Sequence, residues 1–198
     1  MTPERVHVLR RGPVPAVVAA VAAVLLLLLA ACGEAPRPGA SAPSPAYNGT
    51  DVMFLQMSLA YIDQGDQVVA VAAQRATAPR LRALAAELAG QWRSEGLTMG
   101  RWLTGWQQPP SADPTAGAHA GHGDLHSLRP SDIAELTAAK GEQFDRTAVS
   151  LLLGHLHNCV EVSRMEAAGG AYPPARALAE RMTAARQIQI QRLLALAA

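Results

Sequence analysis

No excess of one charge runs through these 198 residues: the formal net charge is +1, from 17 Lys and Arg against 16 Asp and Glu. That balance offers no electrostatic footprint for a nucleic-acid backbone, so no nucleic-acid partner is expected. Cysteine occurs only at positions 32 and 159. There is no Cys-x-x-Cys pair, no nucleophile elbow, no phosphate-binding loop and, beyond Glu4-Arg5-Val6-His7 at the extreme N-terminus, no Glu-x-x-His motif, which removes the common signatures of redox, hydrolytic and di-metal enzymes. Strand-like alternation of apolar and polar residues is also missing from the long periodic segments, and an all-α fold is expected.

What is present begins at the N-terminus. Arg5, Arg10 and Arg11 precede an almost unbroken apolar run from Val14 to Ala31, the charged and apolar regions of a secretory signal. The run approaches the roughly 20 residues that span a bilayer, but Pro13 and Pro15 crowd its start. Its end, Leu29-Ala30-Ala31-Cys32-Gly33, resembles the lipobox of bacterial lipoproteins, in which the chain is cut before the cysteine and lipid is joined to its sulfur. Residues 1–31 are therefore read as a signal peptide. Cys32 is the expected lipidation site, anchoring the exported chain to the outer face of the cell membrane. Loss of Arg5, Arg10, Arg11 and Glu4 with the leader leaves a mature charge of −1. Lipidation of Cys32 also leaves Cys159 without a disulfide partner in the chain, as a buried small residue or a soft ligand.

Residues 32–49 form a Pro-, Ala- and Ser-rich tether with too little apolar surface to offset chain ordering. The remaining residues, 50–198, suffice for one domain with a sizeable core.

That domain contains an internal duplication. At a constant offset of 94 residues Asp51 matches Asp145, Leu59 matches Leu153, Pro79 matches Pro173, and Arg82-Ala83-Leu84-Ala85 matches Arg176-Ala177-Leu178-Ala179. Each half holds two long periodic segments, 50–76 with 79–106 and 142–167 with 173–197, joined by breaks short enough to make antiparallel neighbours. Leu84, Leu88, Gln91, Glu95, Met99, Trp102 and Trp106 step by three or four, as do Leu178, Met182, Ala185, Gln189, Leu193 and Leu196, which is helix spacing. Two such hairpins, 50–106 and 142–197, bury their stripes against each other in a four-helix bundle. Residues 107–130 form the long crossover, and Ser131 is the expected N-cap of a short helix after it.

Polar residues fall on the same stripes in matched pairs, Tyr61 with His155 and Glu95 with Gln189. A carboxylate in a bundle core is costly unless paired or bound to a cation, and imidazoles and carboxylates on facing helices are how such bundles hold metals. Glu95 and His155 are thus the sharpest metal-ligand candidates. The alternative is a satisfied hydrogen-bonded cluster in which Tyr61 and Gln189 take part.

Several stretches, Asp51-Val52-Met53-Phe54-Leu55-Gln56-Met57, Glu95 with Met99-Gly100-Arg101-Trp102-Leu103, Phe144-Asp145-Arg146 and Arg176-Ala177-Leu178-Ala179-Glu180, resemble the bacterial family called domain of unknown function 305. The resemblance implies a duplicated, ferritin-like four-helix bundle of exported proteins, with CopM-like members that bind copper. Against the family's hallmark, paired histidines on the first helix of each hairpin give way here to Tyr61 and Ile62, and the later glutamate to Gln67, while Glu95 and Met99 match. In the second hairpin His155 and Glu161 match, Leu156 replaces the other histidine, and Gln189 and Leu193 stand where Glu and Met would be. About half of the implied ligand set survives.

Other candidates lie nearby. His157 and Glu161 are four apart with Cys159 between them, a pattern shared by metal ligands and by ordinary exposed side-chain pairs. In the crossover, His119, His122 and His126 with Asp124 form a short tract able to take up Cu(II), Zn or Ni as an accessory site or incidentally. Met99 offers a thioether to Cu(I), or simply fills the core. The expectation is a non-catalytic lipoprotein binding copper or a similar transition ion through Glu95, His155, Met99 and Cys159, with His157 and Glu161 as further candidates. The competing expectation is an envelope interaction module whose metal site has decayed.

Overall fold

The computed structural model describes residues 46–111 and 128–197. The leader, Cys32, most of the tether and the crossover histidines His119, His122 and His126 lie outside them. The described chain forms five helices: α1 (Gly49–Arg75), α2 (Pro79–Gly105), α3 (Pro130–Ala138), α4 (Gly141–Gly169) and α5 (Pro173–Ala197). No strand occurs among the described residues, and the class is all-α.

The helix ends follow from local chemistry. Asn48 caps α1: its Oδ1 accepts the amides of Thr50 (2.9 Å) and Asp51 (3.1 Å), while Asp51 Oδ2 accepts the Asn48 amide at 2.6 Å, a reciprocal cap that satisfies otherwise orphaned donors. Pro79, Pro130 and Pro173 open α2, α3 and α5, where a missing amide costs no helical hydrogen bond. The expected cap at Ser131 is corrected. Pro130 is already helical, the preceding Arg129 takes the cap position, and Asp132 accepts the Arg129 amide at 2.9 Å.

The close pairs are α1 with α2, α4 with α5, and α1 with α4, whereas the backbones of α2 and α5 stand further apart. Each hairpin turns through three residues, 76–78 and 170–172, and a matched aspartate from the opposite hairpin holds each turn. Asp145 on α4 accepts the amides of Thr77 (2.9 Å) and Ala78 (2.8 Å). Asp51 on α1 accepts those of Ala171 (3.0 Å) and Tyr172 (2.9 Å). Thr77 and Ala78 lie 94 positions before Ala171 and Tyr172, so the duplication read from the sequence is an internal pseudo-twofold of structure. Carboxylates that accept backbone amides are favoured in their ionised form, and both aspartates titrate below the usual range despite burial.

Two apolar clusters fill the interior. One gathers Val68, Leu84, Leu88, Trp92, Phe144, Leu152 and Leu156; the other gathers Phe54, Leu55, Tyr61, Met99, Leu103, Cys159 and Met182. At their junction, near the midpoint of all four long helices, lies a layer of polar side chains.

Candidate metal centre

The polar layer is centred on a residue the stripe reading passed over. Arg186 on α5 is 1% exposed and ion-paired with Glu95 on α2, which is 8% exposed. Burying a guanidinium is costly unless its donors are used, and here a closed ring uses those of its two terminal nitrogens, while Nε has no partner. Arg186 bonds to Glu95 Oε2 and donates to Gln189 Oε1 at 3.4 Å. Gln189 Nε2 donates to Gln91 Oε1 at 2.7 Å, and Gln91 Nε2 returns to Glu95 Oε1 at 2.9 Å. Both Glu95 oxygens are therefore engaged. Long side chains bridge α2 and α5 where their backbones stand apart, and Arg192 with Glu87 (2.7 Å) extends the bridge outward.

Arg186 did have a sequence signal. It lies 94 positions after Trp92, four after Met182 and three before Gln189, which places it on the α5 stripe. Its guanidinium lies 5.7 Å from the centroid of the Trp92 ring, so the duplicated pair pack on each other.

Beyond Trp92 is His155 on α4, 1% exposed. Its ring meets Trp92 at 5.5 Å and the edge of Tyr61 at 5.8 Å between centroids. Neither imidazole nitrogen completes a hydrogen bond of good geometry. Burial, assisted by the charge of Arg186 and opposed by the Tyr61 backbone, lowers its pKa to about 4, so the ring is neutral at physiological pH. Opposite it, α1 offers Gly65, the duplicate of Cys159. A methyl group there would come within 2.5 Å of His155 Nε2 and of the Trp92 ring, so glycine is required by close approach.

Cys159, one turn along α4, is buried and free. Desolvation pushes its thiol up to about 11, with Arg186 acting against that rise and Glu95 adding to it. Cys159 thus shares the neighbourhood of the Glu95–Arg186 pair. Met99 is fully buried in the same apolar cluster as Tyr61 and Cys159.

The other candidates go elsewhere. His157 and Glu161 lie on the exposed face of α4, where Glu161 pairs with Arg164 at 2.9 Å. Among the described residues no group of three or more His, Cys, Asp or Glu converges as a ready metal cage. A hollow of 580 Å³ lined by Leu81, Asp145, Val149, Leu153 and Leu196 opens at one end of the bundle, lined by none of the polar-layer residues.

The layer is therefore a duplicated four-helix bundle's midpoint, with one buried ion pair and one neutral imidazole, lacking a well-formed hydrogen bond, beside a thiol. The family model for Domain of unknown function (DUF305) matches residues 51–197, and the chain belongs to that family. No curated protein matches it. Solved structures with the same fold include a DUF305 protein from Streptomyces coelicolor, described as secreted (TM-score 0.69, 18% identity, covering 74% of this chain and 91% of that one). A DUF305 fragment from Deinococcus radiodurans gives 0.65 and 23%, covering 77% and 97%. CopM in its Cu(I)-bound form gives 0.61 and 19%, covering 75% and 96%, and CopM is also known in Cu(II)- and silver-bound forms. At these identities the likeness shows the fold.

Proposed function

We propose that this protein is an exported, lipid-anchored DUF305 protein that holds a single soft metal ion, Cu(I), in sequestration or delivery, without catalysis. The observation that carries the reading is His155: a buried, neutral imidazole neither nitrogen of which completes a hydrogen bond of good geometry, next to the Cys159 thiol on the same helix and the Met99 thioether in the same core. Imidazole, thiolate and thioether are the donors that soft copper selects. His155 and Cys159 would hold the ion, with Met99 as an auxiliary. Glu95, whose oxygens are both engaged by Arg186 and Gln91, would not be a ligand; it neutralises Arg186 and holds the layer together. Bound copper would supply a reversible soft-ligand store, and the chain's own part is to keep the donors dry and neutral. The lipobox at Cys32 and the secreted description of a related fold support export, and the lipid anchor rests on the lipobox.

Arg186 favours a second reading. A buried guanidinium opposes entry of another cation, and the ring around it satisfies most of the polar layer, as expected of an envelope interaction module that has lost its metal.

Competition titration of the chain from Gly33 with Cu(I), alongside H155A, C159S and a variant lacking His119, His122 and His126, separates the two. Stoichiometric binding tighter than about 10 μM, about −7 kcal/mol, lost in H155A and C159S but kept in the crossover variant, is the expected result. Loss only in the crossover variant moves the site to that segment. No binding tighter than that level leaves the interaction module.

A further inference from the structure

At the end of the bundle where the chain enters from its tether, four aromatic rings form a half-exposed cluster. Tyr47 stacks on Trp106 at 4.2 Å with planes 10° apart. Tyr172 meets the faces or edges of Trp102 and Trp106 at 5.5 and 5.1 Å. All four are only partly buried. They come from the residues before α1, the end of α2 and the turn before α5, and are fixed there by the Tyr47 hydroxyl on the Trp106 carbonyl (3.3 Å) and the Asn48 side-chain Nδ2 on the Gly169 carbonyl (2.8 Å).

The charges at this end are asymmetric. Its two carboxyl groups, Asp51 and Glu166, are fully buried. Asp51 is spent on backbone amides, and Glu166, held up to about 8 by burial and by Asp51, is protonated at neutral pH. Arg101 and Arg176 are exposed, and neither forms an ion pair among the described residues. The nearest exposed acid on α5, Glu180, stands one turn beyond Arg176 and forms no ion pair with it. Amphipathic Trp and Tyr rings flanked by arginine form the composition favoured at a lipid headgroup boundary, and arginines add attraction to anionic lipid.

Chain length selects the occupant. Fourteen residues separate Cys32 from Tyr47, which fully extended reach about 50 Å. The chain joins the bundle at the aromatic end, so an anchor at Cys32 draws that end toward the membrane first. No described helix is itself long and apolar enough to cross a membrane.

We propose that the aromatic end built from Tyr47, Trp102, Trp106 and Tyr172, flanked by Arg101 and Arg176, seats the bundle on the headgroup region of the membrane that carries the anchor. The inference rests on the lipid-anchored reading above. It makes the tether a short leash to a docked domain rather than a spacer holding the domain away from the surface.

The three tryptophans provide the test, because Trp92 lies in the core and only Trp102 and Trp106 lie at the docked end. The full chain, purified from membranes, is reconstituted in phosphatidylglycerol and phosphatidylethanolamine vesicles with brominated acyl chains, and tryptophan fluorescence is compared with unbrominated vesicles. The expected result is partial quenching of the wild type, at least about twofold quenching of W92F, and none of W102F/W106F, in which Trp92 alone remains. Equal emission from wild type and W92F in both kinds of vesicle overturns the docked end. Because the wild type is read directly, a folding defect in W92F does not remove the test. Mass spectrometry of the same preparation reads the lipid on Cys32: lipidated but unquenched overturns docking alone, whereas an unmodified Cys32 overturns the anchor and, with it, the docked end as proposed.

Discussion

Replacing Arg186 by methionine keeps most of the side chain's bulk and removes its charge. Glu95 is 8% exposed and spends one oxygen on Arg186 and the other on Gln91; in R186M it is a buried carboxylate with a single amide partner. Breaking a buried pair from one side costs about 3–5 kcal/mol, because the remaining charge stays desolvated. For a domain of this size a urea m-value near 2 kcal/mol per molar turns that into a fall of about 2 M in the unfolding midpoint. Removing both charges in E95Q/R186M leaves neutral groups in a layer still holding Gln91 and Gln189, and the midpoint is expected to recover by more than half. Urea unfolding followed by circular dichroism gives all three values. A fall below about 0.5 M in R186M would mean that water reaches the pair, and the closed ring would no longer describe this layer.

The remaining predictions concern pH, packing and metal. Glu166 is raised to about 8 from 4.5, so the fold binds its proton more tightly than the unfolded chain and loses stability as pH climbs to 8; His155, lowered to about 4 from 6.5, gains stability over its own interval. The two slopes cancel between 4.5 and 6.5, giving a plateau, and above it stability falls by about 2 kcal/mol by pH 8; thermal melts should show the fall in the wild type and its absence in E166Q, whose amide still reaches Asp51. Glycine to alanine within a helix ordinarily stabilises by about 0.5–1 kcal/mol, and G90A, which meets nothing within 4 Å, should do so. G65A, forced against His155 and Trp92, should instead lose about 1–3 kcal/mol, and equal effects in the two variants would contradict the packing described. Because the Cys159 thiol stays protonated to about 11 while His155 is neutral above about 4, Cu(I) must displace one proton. Its apparent affinity should rise about tenfold per pH unit between 6 and 8, and a flat profile would exclude the thiol.

Much of the fold was legible because its information is periodic and duplicated. Stripes spaced by three and four fixed the helix faces, short Pro-marked breaks fixed the hairpins, and the 94-residue offset announced the exchange in which Asp51 and Asp145 each hold the other hairpin's turn. The site was less legible because spacing tells which face a residue shares but not what it meets across the core. Glu95 and His155 both face inward, yet the partner of Glu95 is Arg186, an arginine that sequence habit assigns to the surface. Gly65 carried no side-chain signal, although its match to Cys159 placed it on the inner face. His157 and Glu161 share a helix face with each other, but that face is turned to solvent.

The central claim is that the dry imidazole and thiol at the bundle's midpoint, not exposed histidines, take the metal. Copper K-edge absorption of the Cu(I)-loaded chain tests it most directly. The account expects a thiolate sulfur scatterer together with an imidazole nitrogen, the sulfur signal in C159S falling to at most the Met99 thioether. A shell of nitrogen and oxygen alone, unchanged in C159S and in H155A, would contradict it.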